Sequence, residues 1–464
     1  MPILKGACLC HAPILIPEIG KGEERKVSLT ENSYIKACKE LSSVDFDTVI
    51  LISPHAECYS DAFALSYSEE GRASFIRFGA PQVTFQEKYD LELSKAVKEE
   101  GEKLSLPMFL DGYSSEDFSL DHGSMVPLYF LEKEKKEFKL VRIAISGLSF
   151  LEHYRLGMAI KNAVNRLGRK AIFIASGDLS HCQKEDGPYG FKKAGPVYDE
   201  KIMKTLGEAD FLGLLEYDPD FVEDAEVCGH PSFSTLAGVF DKEDVSVKVY
   251  SHEATFGVGY GIVTYTPTGK DDQRNFLDQA EEKEKKRLEA NKKDPYVALA
   301  KEAIHLSFTK GRNLSLKDFP SIPEELLNQR AGCFVSLHEF SQLRGCIGTM
   351  KATKDTLAEE IISNALMAAY DDNRFTPLQE REEDFLEISV DVLSPLKRIQ
   401  SEKELDPKKY GVLVVSEDDK TGVLLPDLPG VNSIPQQVSI AKRKGNISSK
   451  EKVTLYRFTV ERHK

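Results

Sequence analysis

The sequence predicts two domains, an N-terminal α/β domain with a central, largely parallel sheet and a C-terminal α+β domain with an antiparallel sheet. Three observations support this prediction. Strand-like apolar runs alternate with helical patterns in the first part of the chain, a charged stretch follows, and the later strands alternate between apolar and polar residues. The expected domains cover residues 1–266 and 294–464, joined by a charged, helical linker over residues 267–293.

The first domain is predicted from near-continuous apolar runs, which are typical of strands buried on both faces of a sheet. These runs cover residues 3–10, 47–53, 139–146 and 170–176. Helical patterns lie between them over residues 32–41, 88–104 and 151–167. A last strand is expected near residues 257–264, ended by the turn-forming string TPTG at residues 266–269.

The linker and the second domain are predicted from charge and from periodicity. The stretch 271–293 contains seven acidic and seven basic residues and few apolar ones, so it can form a solvated helix but not a core. After it, Asp294 and Pro295 mark a helix start, with apolar residues at helical spacing behind them. Apolar and polar residues alternate over residues 386–392, and residues 453–460 form another strand-like run, which predicts strands.

The overall composition excludes two classes of protein. The 464 residues include 61 Lys and Arg against 75 Asp and Glu, a net charge of −14, which argues against a nucleic-acid binder because phosphate binding needs a basic face. No apolar run approaches the roughly 20 residues that span a bilayer, and the first residues do not resemble a signal peptide. With eight scattered cysteines and no CxxC pair, these features predict a cytoplasmic protein without membrane attachment.

Four histidines lie where an α/β sheet collects ligands. His11, His55 and His181 each follow a predicted strand, and His122 lies at a predicted helix start with Ser124 as the expected cap. Ligands bind beyond the carboxyl ends of parallel strands, where such residues converge. The sequence therefore indicates a metal or catalytic site formed by these side chains.

His11 and His55 form the natural pair of metal ligands because each lies a few residues beyond a strand end. The candidates for a third donor are Cys228, His230, Glu57 and Glu253. Cys228 lies near the start of a predicted helix, where a lowered thiol pKa is expected to favour the thiolate. A buried free cysteine is the alternative interpretation of Cys228.

Asp178 and His181 belong to one short turn after a predicted strand. An imidazole near neutral pH is the usual general base, and Asp178 can accept a proton from His181 or from a substrate. A capping aspartate beside a solvent-facing histidine is the alternative.

The strings CHAPI, ISPHAE, LDHGSMVPL, SGDLSH and CGHP occur in an order that resembles the Memo-like proteins over essentially the whole first domain. These proteins share their fold with the class III extradiol ring-cleavage dioxygenases of the protocatechuate and dopa-dioxygenase type. The resemblance implies that His11 and His55 hold Fe(II) and that Cys228 completes the site. It also implies that His122 and His181 flank the substrate as acid–base groups.

Cys228 departs from the dioxygenase pattern, which has a carboxylate or a histidine at this place. A thiolate favours softer metals and could suppress oxygen chemistry, so copper and zinc stay open beside iron. His230 is the nearest alternative ligand.

The second domain is similar to the AMMECR1 family. The similarity lies in QLRGCIGTM at residues 342–350, AAYDDNRFTPL at 368–378 and LEISVDVLSPL at 386–396. Memo-like and AMMECR1-like domains occur with a radical-SAM protein in a prokaryotic three-component system, AmmeMemoRadiSam, so the resemblance implies a radical-SAM partner. This chain itself has no CxxxCxxC motif for that chemistry.

Arg344, Cys346 and Arg374 form the candidate site of the second domain. Cys346 lies between two glycines of RGCIG, where the backbone can be approached closely, and with Arg344 it indicates a small-ligand or partner site. A packed cysteine in a tight strand turn is the alternative. Arg374 could hold an anion, but an ion pair with Asp371 or Asp372 explains it more simply.

Three functions are compatible with these residues. The first is a metal-dependent, dioxygenase-type oxidoreductase acting on a catechol-like or other small aromatic substrate, with His181, Asp178 and His122 as acid–base groups. The alternative is a non-catalytic metal-binding or redox-responsive module with a partner-binding AMMECR1-like domain. Metal-assisted hydrolysis is the third, and it fits the motifs least.

Overall fold

The structure is a computed structural model that describes residues 3–112, 120–289, 294–428 and 430–464. The chain divides into two compact units, Met1–Lys283 and Glu284–Lys464, and the boundary lies inside the charged stretch. Within the described residues, none of the helices combines the length and the apolar composition that crossing a membrane would require.

The first unit alternates strands and helices along its length. Its strands are β1 (Ile3–Leu9), β2 (Thr48–Ser53), β3 (Phe63–Ser66), β4 (Glu70–Phe75), β5 (Ala80–Lys88), β6 (Met108–Asp111), β7 (Lys139–Ala144), β8 (Ala171–Ser176), β9 (Glu243–Glu253) and β10 (Tyr260–Lys270). Its helices are α1 (Pro17–Gly20), α2 (Ser28–Leu41), α3 (Leu91–Lys103), α4 (His122–Leu131), α5 (Phe150–Leu167), α6 (Ala194–Gly207), α7 (Phe211–Leu215), α8 (Pro219–Asp224) and α9 (His230–Val239). The charged stretch forms helix α10 (Phe276–Glu289), as predicted, and this helix contains the boundary between the units.

Eight of the strands described in this unit form one sheet in the order β6-β3-β7-β2-β8-β1-β10-β9. The four central strands, β7, β2, β8 and β1, are parallel to one another. By contrast, β10 is antiparallel to both of its neighbours, β1 and β9, and β3 is antiparallel to β7. The predicted α/β class is confirmed. The sheet as a whole is mixed: its four central strands are parallel, β3 and β6 are parallel to each other at one edge, and antiparallel pairs lie on both sides of the central strands.

The central strands are buried because helices cover both faces of the sheet. All six residues of β2 and of β8 are buried. Along β2, Ile50 and Ile52 pack into one hydrophobic cluster with residues of α3 and α5. Val49 and Leu51 pack into the other, with residues of α2 and α4. Both faces of each central strand are therefore apolar, which is why continuous apolar runs predict them.

The string TPTG does not end its strand, contrary to the prediction, because β10 continues through it to Lys270 beside β9. Pro267 is tolerated because β1 pairs with β10 only as far as Tyr265, so one side of the strand is open beyond that point. The register also shifts between Pro267 and Gly269. The start of the expected linker is thus a strand, while residues 290–293 lie outside the described residues.

The second unit forms two antiparallel sheets with helices. Its helices are α11 (Pro295–Lys310), α12 (Glu324–Asn328), α13 (Leu357–Tyr370) and α14 (Ile434–Lys444). Its strands are β11 (Cys333–Glu339), β12 (Gln342–Gly348), β13 (Leu386–Leu393), β14 (Lys397–Ile399), β15 (Gly411–Ser416), β16 (Thr421–Leu424), β17 (Val453–Phe458) and β18 (Val460–His463). The described strands pair in the orders β12-β11-β13-β18 and β14-β17-β15-β16, which confirms the α+β prediction.

Two sequence signals of the second unit have clear structural outcomes. Asp294 caps α11, since its carboxylate accepts the backbone N–H of Tyr296 at 2.8 Å. The run 453–460, predicted as one strand, is divided at Thr459 into β17 and β18. These two strands belong to different sheets, so the chain passes from one sheet to the other at this residue.

Candidate metal centre

Three of the predicted ligands meet at the carboxyl edge of the central strands. His11 follows β1, His55 lies in the turn after β2, and Cys228 lies just before α9. The Nε2 atoms of His11 and His55 are 3.0 Å apart, and Cys228 Sγ lies 3.7 Å from His11 Nε2. Ligand atoms bonded to one ion at about 2.0–2.3 Å lie roughly 3–4 Å apart. The two imidazoles and the thiol therefore fit a transition-metal ion in both spacing and donor type.

Ser176, the last residue of β8, orients the His11 ring. Its hydroxyl donates to the carbonyl oxygen of Gly123 at 2.6 Å and lies 3.0 Å from His11 Nδ1. Because the hydroxyl proton goes to Gly123, the other bond requires a proton on His11 Nδ1 and leaves Nε2 with a free lone pair. Burial and the neighbouring His55 lower the pKa of His11 well below its usual value. The result is a neutral imidazole with Nε2 available, as a metal ligand requires.

The Cys228 thiol differs electrostatically from its prediction. Burial raises the pKa of this thiol well above its usual range, and Asp178 nearby adds to the increase. The lowered pKa predicted from the nearby helix start, at His230, is not found, because burial of the thiol has the larger effect. The backbone N–H of Asp178, 3.3 Å from Sγ, does not outweigh the loss of solvent. A thiolate at this position therefore needs a cation beside it.

Asp178 contacts both His11 and Cys228. Its Oδ1 accepts the backbone N–H of His11 at 2.8 Å, and its Oδ2 lies 3.7 Å from His11 Nε2. Burial raises the pKa of the Asp178 carboxyl group to about 6, although the hydrogen bond from His11 and the charge of His181 oppose this shift. Asp178 can therefore hold or release a proton beside the candidate metal site.

His122 and His181, the other two predicted acid–base groups, lie near the ligand pair. The centroid of the His122 ring is 4.0 Å from that of His55 and 5.4 Å from that of His11. Burial and His11 lower the pKa of His122 to about 4. His181 is half-buried next to Tyr189, at a ring distance of 5.4 Å, and burial lowers its pKa as well. Both rings are neutral near pH 7 and can accept a proton.

Helix α4 is capped by Asp121 rather than by Ser124, the predicted cap. Ser124 instead donates its backbone N–H to Asp121 Oδ1 at 3.0 Å, because the aspartate is the residue that directly precedes the helix. Asp121 also accepts the Ser53 hydroxyl at 2.5 Å and the Arg142 guanidinium at 3.0 Å. This network ties the start of α4, with His122, to the end of β2. The aspartate of the LDHG string was a sequence signal for it.

The other three candidates for the third donor do not join this ligand group. His230 is fully buried, and its two ring nitrogens lie 2.9 Å from the Tyr198 hydroxyl and 3.1 Å from the Leu214 carbonyl oxygen. Glu253 accepts the backbone N–H of Thr30 at 2.7 Å. Glu57 is exposed and lines a cavity next to the site. Among the candidates, the structure therefore places Cys228 beside the histidine pair.

A cavity of about 1320 Å³ opens beside the candidate metal centre. His55 and His122 line it on the metal side, and the β4–β5 hairpin contributes further lining residues, including Arg77 and Phe78. This hairpin is absent from the elements predicted above. The signal available in the sequence was the short apolar–polar alternation from Val83 to Gln86, which is typical of a strand with one covered face.

The candidate residues of the second domain are paired internally. Cys346 lies on β12, the edge strand of its sheet, and donates its backbone N–H to Asp372 at 2.9 Å. Arg374 donates to the same carboxylate at 2.7 Å, which confirms the ion pair with Asp372 as the interpretation of this arginine. Arg344 pairs with Glu382 at 2.6 Å. Asp372 and Arg374 cover the open edge of β12 at Cys346.

The fold and the site together define an α/β domain with a candidate metal centre, joined to an α+β domain. Residues 5–263 match the family described as the catalytic LigB subunit of aromatic ring-opening dioxygenase, and the chain belongs to this family. Residues 297–463 match the AMMECR1 family. The chain is therefore a fusion of a LigB domain and an AMMECR1 domain.

Some relatives match nearly the whole chain, and others match only a part of it. A protein of Clostridium acetobutylicum is 40% identical over 465 residues and covers 98% of this chain and 98% of its own. A protein of Thermotoga maritima is 46% identical over 172 residues, which are 37% of this chain and 97% of its own. The crystal structure of an uncharacterized protein of Pyrococcus horikoshii is 27% identical, covers 37% of this chain and 91% of that chain, and has a TM-score of 0.34. The two-domain length is thus shared with the Clostridium protein.

Proposed function

We propose that the LigB domain is a metal-dependent oxidoreductase of the dioxygenase type, which acts on a catechol-like or other small aromatic compound. The observation that carries the proposal is the group formed by His11, His55 and Cys228, which adjoins a cavity large enough for such a compound. Membership of the LigB family supports this reaction class.

His11, His55 and Cys228 would hold the metal ion, and we propose Fe(II), with copper or zinc as the alternatives. A bound ferrous ion would supply the electron transfer to dioxygen that the protein side chains cannot provide. Ser176 keeps His11 Nε2 available for the ion, and Asp178 holds the His11 backbone in place.

The protein side chains would move the protons. His122 lines the cavity as a neutral imidazole and can accept a proton from a hydroxyl group of the substrate. Asp178 and His181 belong to one turn beside the ligands and can pass a proton onward. These roles need groups that are unprotonated near pH 7, and the lowered pKa values of the two histidines meet that need.

Metal analysis combined with oxygen uptake tests the proposal. We expect protein purified without oxygen to contain iron and, in the full chain, to consume oxygen with at least one dihydroxy-aromatic compound. His11→Ala should lose both the metal and oxygen uptake, whereas His181→Ala should keep the metal and lose oxygen uptake. His305→Gln removes an exposed histidine of the second unit and should change neither. An iron-loaded protein that consumes no oxygen across a broad panel would contradict the proposal.

A second candidate function, a non-catalytic metal-binding or redox-responsive module, is favoured by the thiol of Cys228 in the donor set. In that case the AMMECR1 domain would recruit a partner, and the metal would be bound tightly without oxygen consumption. The same measurements separate the two functions, because only the first predicts turnover.

We further propose a radical-SAM protein of the same system as the partner and the cytoplasm as the compartment. The described cysteines are all free, which suits a reducing compartment. Co-purification of the full chain with the radical-SAM protein of the same organism tests the partnership, and two separate peaks on gel filtration would contradict it.

A further inference from the structure

Strand β9 forms one end of the eight-stranded sheet. It has 11 residues, whereas β6, at the opposite end of the sheet, has four. Among the described strands β9 pairs only with β10, so its other side is an open edge. A long open edge presents a row of backbone N–H and C=O groups that can pair with a strand of another chain. Pairing between chains therefore has more room at β9 than at β6.

The middle of β9 carries few of the features that usually protect an open edge, such as prolines and bulges. From Val245 to Val249 the strand contains no proline, and each residue pairs with one residue of β10 in unbroken register. The nearest extra residue on β9 is Tyr250, just beyond this stretch. Three valines alternate along the stretch, and Val249 is 48% exposed. The strand is thus regular and partly apolar at its open edge.

The backbone groups of the valines face the open side. Pro267, which lies opposite Val245 on β10, has no N–H group, and Val245 donates its own N–H to the Asp244 carboxylate at 3.0 Å. Val245 is therefore at a position where the β9–β10 ladder makes no hydrogen bonds. Because such positions alternate along an antiparallel strand, the backbone groups of Val247 and Val249 also face outward.

The charges on β9 complement a second copy of the same strand. Asp244 and Lys248 lie two residues before and after Ser246, on one face of the strand. If two copies pair antiparallel about Ser246, Asp244 of each copy lies opposite Lys248 of the other. Asp244 is exposed, and the Lys248 side chain is 61% exposed although it lies 3.4 Å from Glu40. Both charges are therefore accessible to a partner strand.

We propose that two copies of this chain form a symmetric dimer through antiparallel pairing of β9 with β9, in the register centred on Ser246. A two-fold axis at Ser246 uses the same patch on both copies, as closed homodimers do. Val245 and Val247 exchange backbone hydrogen bonds with Val247 and Val245 of the partner subunit, and one sheet continues from one copy into the other. The inference is independent of the proposed function, because none of the candidate metal ligands belongs to β9.

Sedimentation equilibrium of the full chain tests the inference by measuring the dissociation constant of the dimer. We expect a dimer at micromolar chain concentrations. Asp244→Lys and Lys248→Asp should each raise the dissociation constant by about 10-fold or more, because each change places like charges opposite each other at two symmetric positions. The double variant, which exchanges the two charges, should dimerise as the wild type does.

A backbone variant tests the strand pairing separately from the charges. Val247→Pro removes an N–H group that faces the open side, so it should abolish the dimer and leave the pairing of β9 with β10 in place. Circular dichroism checks that the variant is folded. Glu137→Lys is the control for the charge variants, since Glu137 is exposed in the segment before β7, and it should leave the dissociation constant unchanged.

The results that would overturn the inference are distinct. One is a wild-type chain that stays monomeric in the micromolar range, even if a strand of a different protein pairs with β9. Another is a dimer that the single charge variants or a folded Val247→Pro variant leave intact, which would place the interface elsewhere. A double charge variant that stays as weak as the single variants would exclude the register centred on Ser246.

Discussion

Ser176 decides which nitrogen of His11 faces the metal site. Its hydroxyl proton goes to Gly123, so that its oxygen accepts the proton of His11 Nδ1. Groups that bond to the second nitrogen of a ligating histidine fix the tautomer and the ring orientation. Ser176 does so for His11.

Removing the Ser176 hydroxyl should weaken metal binding without unfolding the domain. We expect Ser176→Ala to lower the affinity of the full chain for the metal by roughly 10-fold or more, as measured by competition with a chelator. Ser94→Ala is the matched control, because Ser94 is also fully buried but its hydroxyl makes no hydrogen bond to any residue that the structure describes. Equal metal affinities in the two variants would contradict the orienting role of Ser176.

Glu87 and Glu132 form a pair of titratable carboxyl groups that does not belong to the candidate metal centre. Burial and the neighbouring Glu132 raise the pKa of Glu87 from 4.5 to about 8, and burial raises that of Glu132 as well. The folded state therefore binds more protons than the unfolded state, and this pair stabilises the fold less and less as the pH rises from about 4.5 to about 8.

Replacing Glu87 by Gln should remove this loss of stability at high pH. We expect Glu87→Gln to raise the free energy of unfolding by about 1–2 kcal/mol at pH 8.5 and to change it little at pH 4.5, in urea unfolding followed at both pH values. Glu208→Gln makes the same change of charge at an exposed position and should show no such dependence on pH. A gain of the same size at both pH values would contradict the raised pKa.

At the scale of elements, the packing of α5 against α9 places Cys228. Gly157 and Gly238 allow the two helices to approach closely: a Cβ atom at Gly238 would lie 1.9 Å from the Tyr154 carbonyl oxygen. Because α9 begins two residues after Cys228, its position sets the distance from the thiol to His11. A glycine contact between helices thus supports the position of Cys228 in the candidate metal centre.

A methyl group at Gly238 should therefore affect both stability and metal binding. We expect Gly238→Ala to lower the free energy of unfolding by about 1–3 kcal/mol, since α9 has to move away from a backbone atom, and to weaken the metal affinity. Gly269→Ala is the control, because, apart from its two chain neighbours, no described residue lies within 4 Å of a Cβ atom there. Urea unfolding and chelator competition measure the two effects, and an unchanged unfolding free energy would contradict the close contact.

At the scale of the whole molecule, the two compact units have separate hydrophobic cores. The predicted metal ligands all belong to the first unit. A metal ion that binds the folded state stabilises only the unit that holds it.

Calorimetric unfolding of the full chain should therefore show two transitions, with zinc as a redox-inert probe shifting only one. At 100 times its Kd, zinc should stabilise the first unit by about 2.7 kcal/mol and leave the second unchanged. His11→Ala should abolish the shift, and His305→Gln should preserve it. A shift of the other transition would place the metal outside the predicted site.

Much of the fold could be predicted because burial on both faces leaves continuous apolar runs, and β1, β2, β7 and β8 lie within two residues of their predicted ends. The β4–β5 hairpin could not be predicted in this way, because its strands are partly exposed and their apolar residues form a weaker pattern. The passage of β10 through TPTG depends on which side of the strand is open, and that is a property of the sheet rather than of the string.

The sequence by itself determined the fold class, the two families and the short list of histidines and cysteines at the strand ends. The tertiary structure decided that Cys228 lies beside His11 while both ring nitrogens of His230 are engaged elsewhere. It also decided that the pKa of the Cys228 thiol is raised, although the nearby helix start predicts a lowered one. Both outcomes follow from the same physical cause: the direction of a side chain and its loss of solvent depend on neighbours from distant parts of the chain, which local sequence patterns do not record.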